Sequence, residues 1–186
     1  MAQDRGAFSF ATGPNLHGSF SDVLPASWGG HFTFSYETPG THGLRLDLTL
    51  TGSGSHAQTI FLTNEIGSPI GQVDFRRGGS SLLLGALYRA RLGRIELATG
   101  LQGGVTWLRF ILLNDNIGFL AQADIAYDDL TLQPAWVQWP VEAAVMLSDE
   151  WSLYLQGAIG LNNRLKRSQL ATAREHSVRL GVRWWF

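Results

Sequence analysis

The chain has 186 residues, a net charge of −1, no cysteine and 45% hydrophobic residues. This length fits one domain. The near-neutral charge gives no indication of a nucleic-acid partner. The lack of cysteine excludes disulfides, thiol catalysis and cysteine-based zinc sites.

Membrane insertion is open to this chain by one route. No apolar run approaches the ~20 residues of a spanning helix, so the chain can cross a membrane only as a closed β-barrel, which satisfies its backbone groups between strands. No signal peptide is recognisable at Met1-Ala2-Gln3-Asp4, which we interpret as a start codon added to a mature N-terminus. Export is then expected to be encoded upstream.

Residues 1–27 are expected to form a periplasmic lead-in or an inner plug, and residues 28–186 the barrel. From Trp28 to Glu37, aromatic residues and glycine alternate with polar residues, and from Leu44 to Thr51 leucine alternates with Arg45, Asp47 and threonine. Successive side chains of a strand point to opposite faces, so both segments predict strands with one apolar face. The segment 52–79 alternates weakly and predicts either a further hairpin or an irregular connection.

The middle of the chain leaves the strand count open. Residues 82–92 and 95–102 alternate well, but Gly103-Gly104 breaks the pattern. Continuing the register would point Arg109 into lipid, at a cost of about 2–4 kcal/mol near mid-bilayer. A bulge or a turn would point it inward. This choice sets the count at eight or ten strands, of which we expect eight. Residues 118–127 alternate more weakly and predict another strand.

The last three predicted strands are the clearest. Residues 137–147 and 151–161 form a predicted hairpin around the turn 148–150, with Pro140 at a bulge or an unpaired position. In 178–186, apolar residues occupy every second position up to Phe186, and Trp185 falls on the opposite face with the arginines. This strand resembles the C-terminal signature of bacterial outer-membrane β-barrel proteins. The resemblance implies an all-β, antiparallel up-and-down transmembrane barrel, similar to the eight-stranded superfamily, whose last strand is read by the barrel-insertion machinery.

The resemblance also implies an orientation. If Phe186 ends in the periplasm, we expect the turns 148–150 and Asn114-Asp115-Asn116 to be periplasmic, and 128–134 and 164–175 to be outer loops. Tryptophan collects at membrane interfaces. The expected interface aromatics are Trp28, Trp151, Trp184 and Phe186 at the periplasmic side and Trp136 and Trp139 at the outer side.

The polar face carries balanced charges. The predicted lumen network comprises Glu37, Arg45, Asp47, Arg89, Arg91, Glu96, Asp124, Glu142, Arg179 and Arg183. Unpaired buried charges are costly, and side chains already fill an eight-stranded barrel. The pattern therefore predicts a salt-bridged, closed lumen. Ten strands would favour a conducting pore.

Catalysis and metal binding have weak support. His17-Gly18-Ser19 superficially matches the spacing of lipid A deacylases, in which residues two apart share a strand face, but no convincing acid lies on a neighbouring strand. His31 and Ser35 lie ~13 Å apart along one strand, and the adjacent His176 and Ser177 point oppositely. The five histidines have no metal-ligand spacing. We predict no catalytic residue, metal or cofactor.

The sequence therefore predicts an exported outer-membrane barrel with a non-enzymatic structural or surface-interaction role. The alternatives are a narrow pore or small hydrophobic-solute conduit, a lipid A-modifying enzyme, and a soluble lipocalin-like barrel or sandwich. The expected partners are outer-membrane lipid and lipopolysaccharide. A basic cluster in an outer loop would contact the phosphates of lipopolysaccharide, and it consists of Arg164, Lys166, Arg167 and Arg174.

Overall fold

The computed structural model describes residues 7–19, 26–55, 58–63, 69–112, 130–161 and 175–186. Nine β-strands lie in this part of the chain: β1 Ala7–Ser19, β2 Ser27–Glu37, β3 His42–Gly54, β4 Gln58–Thr63, β5 Pro69–Leu92, β6 Ile95–Leu112, β7 Leu130–Met146, β8 Trp151–Gly160 and β9 Glu175–Trp185. The described residues contain no helix that is long and apolar enough to cross a membrane.

The strands close into an antiparallel barrel. Their order is β3-β2-β1-β9-β8-β7-β6-β5-β4, and β3 also pairs with β5. The short β4 pairs with the first residues of β5, while β3 pairs with the last ones. β4 therefore continues the position of β3 beside the long β5, and the barrel wall has eight strand positions. The prediction of an eight-stranded up-and-down barrel is confirmed.

The wall has a polar inner face and an apolar outer face. Along β8, residues from Trp151 to Gly160 are alternately exposed and buried. The exposed ones are Trp151, Leu153, Leu155, Gly157 and Ile159, and the buried ones include Ser152, Tyr154 and Gln156. This polarity is the reverse of a soluble lipocalin-like barrel. It suits a wall with lipid outside.

The expected boundary at residue 28 is wrong, because Ala7–Ser19 is a wall strand. β1 pairs along its length with β2 and also with β9, closing the barrel. Phe8 and Phe10 are exposed and alternate with buried Ser9 and Ala11. Farther along, Pro14 takes an outward position, so the apolar alternation fades halfway and the sequence pattern does not predict this strand.

The three described short turns lie at one end of the barrel, together with both ends of the described chain. They are residues 38–41, 93–94 and 147–150. We call this end the chain-end rim and the opposite end the loop side. The turn 148–150 lies at the same rim as Phe186, as expected. The expected periplasmic turn Asn114-Asp115-Asn116 lies outside the described residues. The described end of β6 at Leu112 and the start of β7 at Leu130 are on the loop side.

The expected break at Gly103-Gly104 has a different form. β6 runs through it as one strand, and its pairing with β7 shifts between Gly104 and Thr106. Gln102 and Thr106 are both buried and Trp107 is exposed, so the two faces do not exchange there. One extra residue is on β7, where residues 134 and 135 stand opposite the single residue Val105 of β6. The side chain of Arg109 and the predicted strand 118–127 lie outside the described residues. The weakly alternating segment 52–79 contributes the end of β3, β4 and the start of β5.

Candidate functional site

The lumen contains nine of the ten predicted network residues, and Asp124 lies outside the described part of the chain. Eight of the nine are at most 3% exposed, whereas the side chain of Arg91 is 28% exposed. Among the described residues the nine comprise five arginines and four carboxylates. They are Arg45, Arg89, Arg91, Arg179 and Arg183, with Glu37, Asp47, Glu96 and Glu142.

Glu142 is the centre of the strongest contacts. Arg45 donates to both of its carboxylate oxygens at 2.7 Å, and Arg183 donates to the same two oxygens at 2.7 and 3.0 Å. The amide of Gln156 donates a further bond of 3.0 Å. Arginine–carboxylate pairs with two parallel bonds are among the stronger interactions in proteins. One carboxylate therefore holds two guanidinium groups together.

A second group of charges lies next to the chain-end rim. Arg91 donates to Glu96 at 2.9 Å, and Nε of Arg89 lies 3.4 Å from Glu37. Arg89 also donates to the carbonyls of Thr38 and Gly40 in the first turn, at 2.7 and 3.0 Å. These bonds fix the turn to the interior. Glu96 lies 3.6 Å from both Arg45 and Arg183 and so joins the two groups. Eight of the nine charged lumen residues, all except Arg179, are called the ion network below. They are Arg45, Arg89, Arg91, Arg183, Glu37, Asp47, Glu96 and Glu142.

Several contacts among the described residues join strands that are three positions apart around the wall, and one of them is the 3.6 Å approach of Arg183 on β9 to Glu96 on β6. Arg45 of β3 bonds Glu142 of β7, His31 of β2 bonds the hydroxyl of Tyr154 of β8, and Arg179 of β9 lies 3.4 Å from the Gln102 carbonyl oxygen on β6. Strands this far apart in an eight-position wall face each other across the interior. These contacts therefore cross the lumen and occupy it.

Arg179 lies outside the ion network. Its NH1 donates to the side-chain carbonyl oxygen of Gln156 at 2.8 Å, and the amide nitrogen of Gln156 donates to Glu142. Among the described residues, Nε and NH2 of Arg179 have no hydrogen-bond partner, and no carboxylate lies within ion-pair distance. Alternation along their strands places the neighbouring Gln102, Tyr154 and Gln156 on the buried polar face. Their contacts depend on which strands face each other, and the sequence does not contain that information.

Five of the six expected interface aromatics have described side chains, and all five are exposed on the outer surface. Trp151 and Trp184 stack at 6.0 Å, and Phe186 packs against Trp184 at 5.3 Å, all at the chain-end rim. Trp28 is 60% exposed. It lies on the loop side, because β1 runs from the chain-end rim to the loop side and β2 begins there. Its expected periplasmic placement beside Trp151 is therefore wrong. Trp139 is exposed and donates to Thr99 at 2.9 Å. The Trp136 side chain is outside the described residues.

The residues considered for other chemistry are separated or undescribed. His17 is buried in the lumen and bonds the Asn15 amide at 2.7 Å, and the side chain of its suggested partner Ser19 is not described. In the described part of the chain, no group of three or more acidic or histidine side chains is arranged to hold a metal. The basic cluster at 164–174 lies outside the described residues.

No protein-family profile and no curated protein sequence matches the chain. Its fold resembles solved outer-membrane structures. Ail, the attachment invasion locus protein of Yersinia pestis, has a TM-score of 0.58 at 11% identity, covering 98% of this chain and 99% of Ail. The outer membrane protein OprG of Pseudomonas aeruginosa has a TM-score of 0.58 at 13% identity, covering 100% and 98%. Ail in complex with the heparin analogue sucrose octasulfate has a TM-score of 0.54 at 11% identity, covering 97% of each chain. The chain thus has the fold of the small outer-membrane β-barrels.

Proposed function

We propose that this eight-stranded barrel of the outer-membrane type is a closed, non-enzymatic membrane anchor that acts through its loop side. The observation that carries the proposal is the pair of bidentate contacts from Arg45 and Arg183 to Glu142. The Arg45 contact crosses the interior from β3 to β7, and Arg183 reaches the same carboxylate from β9. A pore would need this cross-section to be open.

Closure has an energetic basis. A buried charge that loses its partner costs about 3–5 kcal/mol, so opening the lumen would have to break several such contacts and rehydrate the charges. The contacts at the turn 38–41 add bonds from Arg89 to backbone carbonyls. These bonds support a barrel that stays closed in its resting state.

The loop side offers the interaction surface. The connections there include 20–26, 113–129 and 161–174, which are longer than the turns at the chain-end rim. Short turns are typical of the periplasmic side, so we place the chain-end rim in the periplasm and the loop side at the cell surface. On this proposal the final strand is also the segment that the insertion machinery reads.

The loop-side partner that we propose is the phosphate of lipopolysaccharide, bound by Arg164, Lys166, Arg167 and Arg174. Arginine binds paired phosphate oxygens well. That a barrel of similar fold, Ail, was solved with a sulfated sugar is in keeping with a polyanion at this surface. Replacing the four residues together by glutamine should weaken binding of lipopolysaccharide vesicles. The variant Arg94→Gln, at the opposite rim, should leave it unchanged, and equal binding by both variants would contradict the assignment.

A lipid-modifying reaction has less support than anchoring. Lipid substrates approach from outside the wall, whereas His17 is buried in the lumen and bonded to Asn15. Replacing His17 or Ser19 should therefore leave lipid A unchanged. A loss of lipid A modification in either variant would refute the non-enzymatic proposal.

Single-channel recording tests the closed lumen. The refolded protein, verified by a heat-modifiable band, should be silent in a planar bilayer. Glu142→Gln should produce brief openings because Arg45 and Arg183 then repel each other, and Glu150→Gln in an exposed turn should stay silent. Steady openings of the unmodified protein would overturn the proposal and favour the narrow pore or the small hydrophobic-solute conduit.

A further inference from the structure

Arg179 differs from the other lumen arginines in what it contacts. It is 2% exposed, and its described partners are the uncharged side chains of Gln156 and Gln102. Asp47 and Glu142 are near enough to act on it electrostatically, but both are in ion pairs with Arg45. Its positive charge therefore has no carboxylate of its own among the described residues.

The geometry of the free donors is specific. NH1 is used by the two glutamines, while Nε and NH2 have no partner in the part of the chain that the structure describes. These two nitrogens form one edge of the guanidinium plane, which presents two parallel N–H donors. This edge matches two oxygens of a carboxylate or a phosphate. A halide ion is a single acceptor, so it would match the two parallel N–H donors less well than a pair of oxygens does.

The surroundings of Arg179 favour an anion that comes from the loop side. Arg179 lies four residues nearer to that side than Arg183, about 13 Å along the strand. Ser177 lies two residues farther toward the loop side on the same face of β9, and its buried hydroxyl, which could donate to an anion, has no hydrogen-bond partner among the described residues. The described lumen side chains on this path include no acid. They include Asn15, His17, Thr51, Ser81, Thr106 and Ser177.

We propose that the Nε–NH2 edge of Arg179 binds a small oxyanion, a carboxylate or a phosphate, in the loop-side half of the lumen. The ion network closes the chain-end half beneath it. Both nitrogens are enclosed by protein, so binding requires neighbouring side chains to move apart. The ion then supplies the counter-charge that the ion network does not, and the high cost of an unpaired buried charge favours this exchange.

The experiment compares thermal unfolding of the refolded full chain in detergent micelles with sodium acetate, sodium phosphate or sodium chloride at equal ionic strength. At ten times the dissociation constant, a bound ion should raise Tm by about 3–6 °C. We expect acetate and phosphate to raise Tm above the chloride value, saturably. The control Arg94→Gln, at an exposed turn, should respond like the unmodified protein.

Two variants make the assignment specific. Arg179→Gln should lose the response, and Arg179→Lys should lose the preference for acetate and phosphate over chloride, because an ammonium group keeps the charge without the paired donors. Should neither variant fold, the Arg179 Nε–H resonance of the unmodified protein decides the question, since it should shift with acetate and not with chloride. The proposal is overturned if that resonance is unmoved, if Tm follows ionic strength alone, or if Arg179→Gln responds like the unmodified protein.

Discussion

Replacing Glu142 by glutamine is the most informative test of the ion network. Glutamine has nearly the same shape, so the substitution creates no cavity and changes mainly the charge. Arg45 keeps Asp47 at 3.0 Å, whereas the remaining carboxylate of Arg183 among the described residues is Glu96 at 3.6 Å. Two buried arginines thus lose the carboxylate that both contact. The expected loss of unfolding free energy is about 3–5 kcal/mol, the range for breaking a buried pair.

The assay is urea unfolding of the refolded protein in lipid vesicles, followed by tryptophan fluorescence and by heat-modifiable migration. Glu150→Gln is the matched control, because Glu150 lies in an exposed turn and should change stability by less than about 0.5 kcal/mol. The double variant Glu142→Gln/Arg183→Gln should destabilise less than the sum of the single variants, because each removes the same contact. If Glu142→Gln stayed within about 1 kcal/mol of the unmodified protein, the reasoning would fail, since the arginines would then be stabilised by something other than Glu142.

Three smaller perturbations test other parts of the barrel, each by the same urea titration. Tyr154→Phe removes the cross-lumen bond to His31 and should cost about 1–3 kcal/mol; a neutral result would mean that this bond contributes nothing. Gly29→Ala should destabilise by about 1–3 kcal/mol, because the added Cβ would collide with the Gly52 carbonyl. Gly52→Ala should be tolerated, because its added Cβ would meet open space. Equal effects of the two substitutions would contradict this difference. Leu84 is 67% exposed on the outer face of the wall. Leu84→Arg should reduce the unfolding free energy by about 2–4 kcal/mol in a bilayer and by less in short-chain micelles. The reverse order would argue against lipid contact at this position.

The fold followed from the sequence where apolar alternation is long and uninterrupted. β2, β3, β8 and β9 were predicted to within a few residues because every second residue is apolar over eight or more positions. β1 was missed because Pro14 takes an outward position that lipid-facing strands usually give to a large apolar residue. That omission had a second effect. Without β1, Trp28 was assigned to the wrong end of the barrel.

The candidate site was predictable as a face but not as a set of contacts. Alternation assigns Arg45, Glu142 and Arg183 to the inner face of their strands, and the structure buries all three. Which of them meet depends on the stagger between strands and on which strands face each other in the closed wall. Arg179 illustrates the limit. Arg179 and Arg183 lie on the same face of β9, yet the two have different partners.

The seam between β1 and β9 joins the first described strand to the last. Ser9 pairs with Trp185 and Ser19 with Glu175, and the Phe186 amide donates to the Phe8 carbonyl at 3.0 Å. The barrel therefore cannot close until the final strand has been synthesised, so a truncated chain would retain two open sheet edges that invite aggregation. The same proximity makes circular permutation feasible. A short linker from Phe186 to Ala7, with new termini opened at Gly93-Arg94, would keep every strand pairing while moving the place at which the ring is completed.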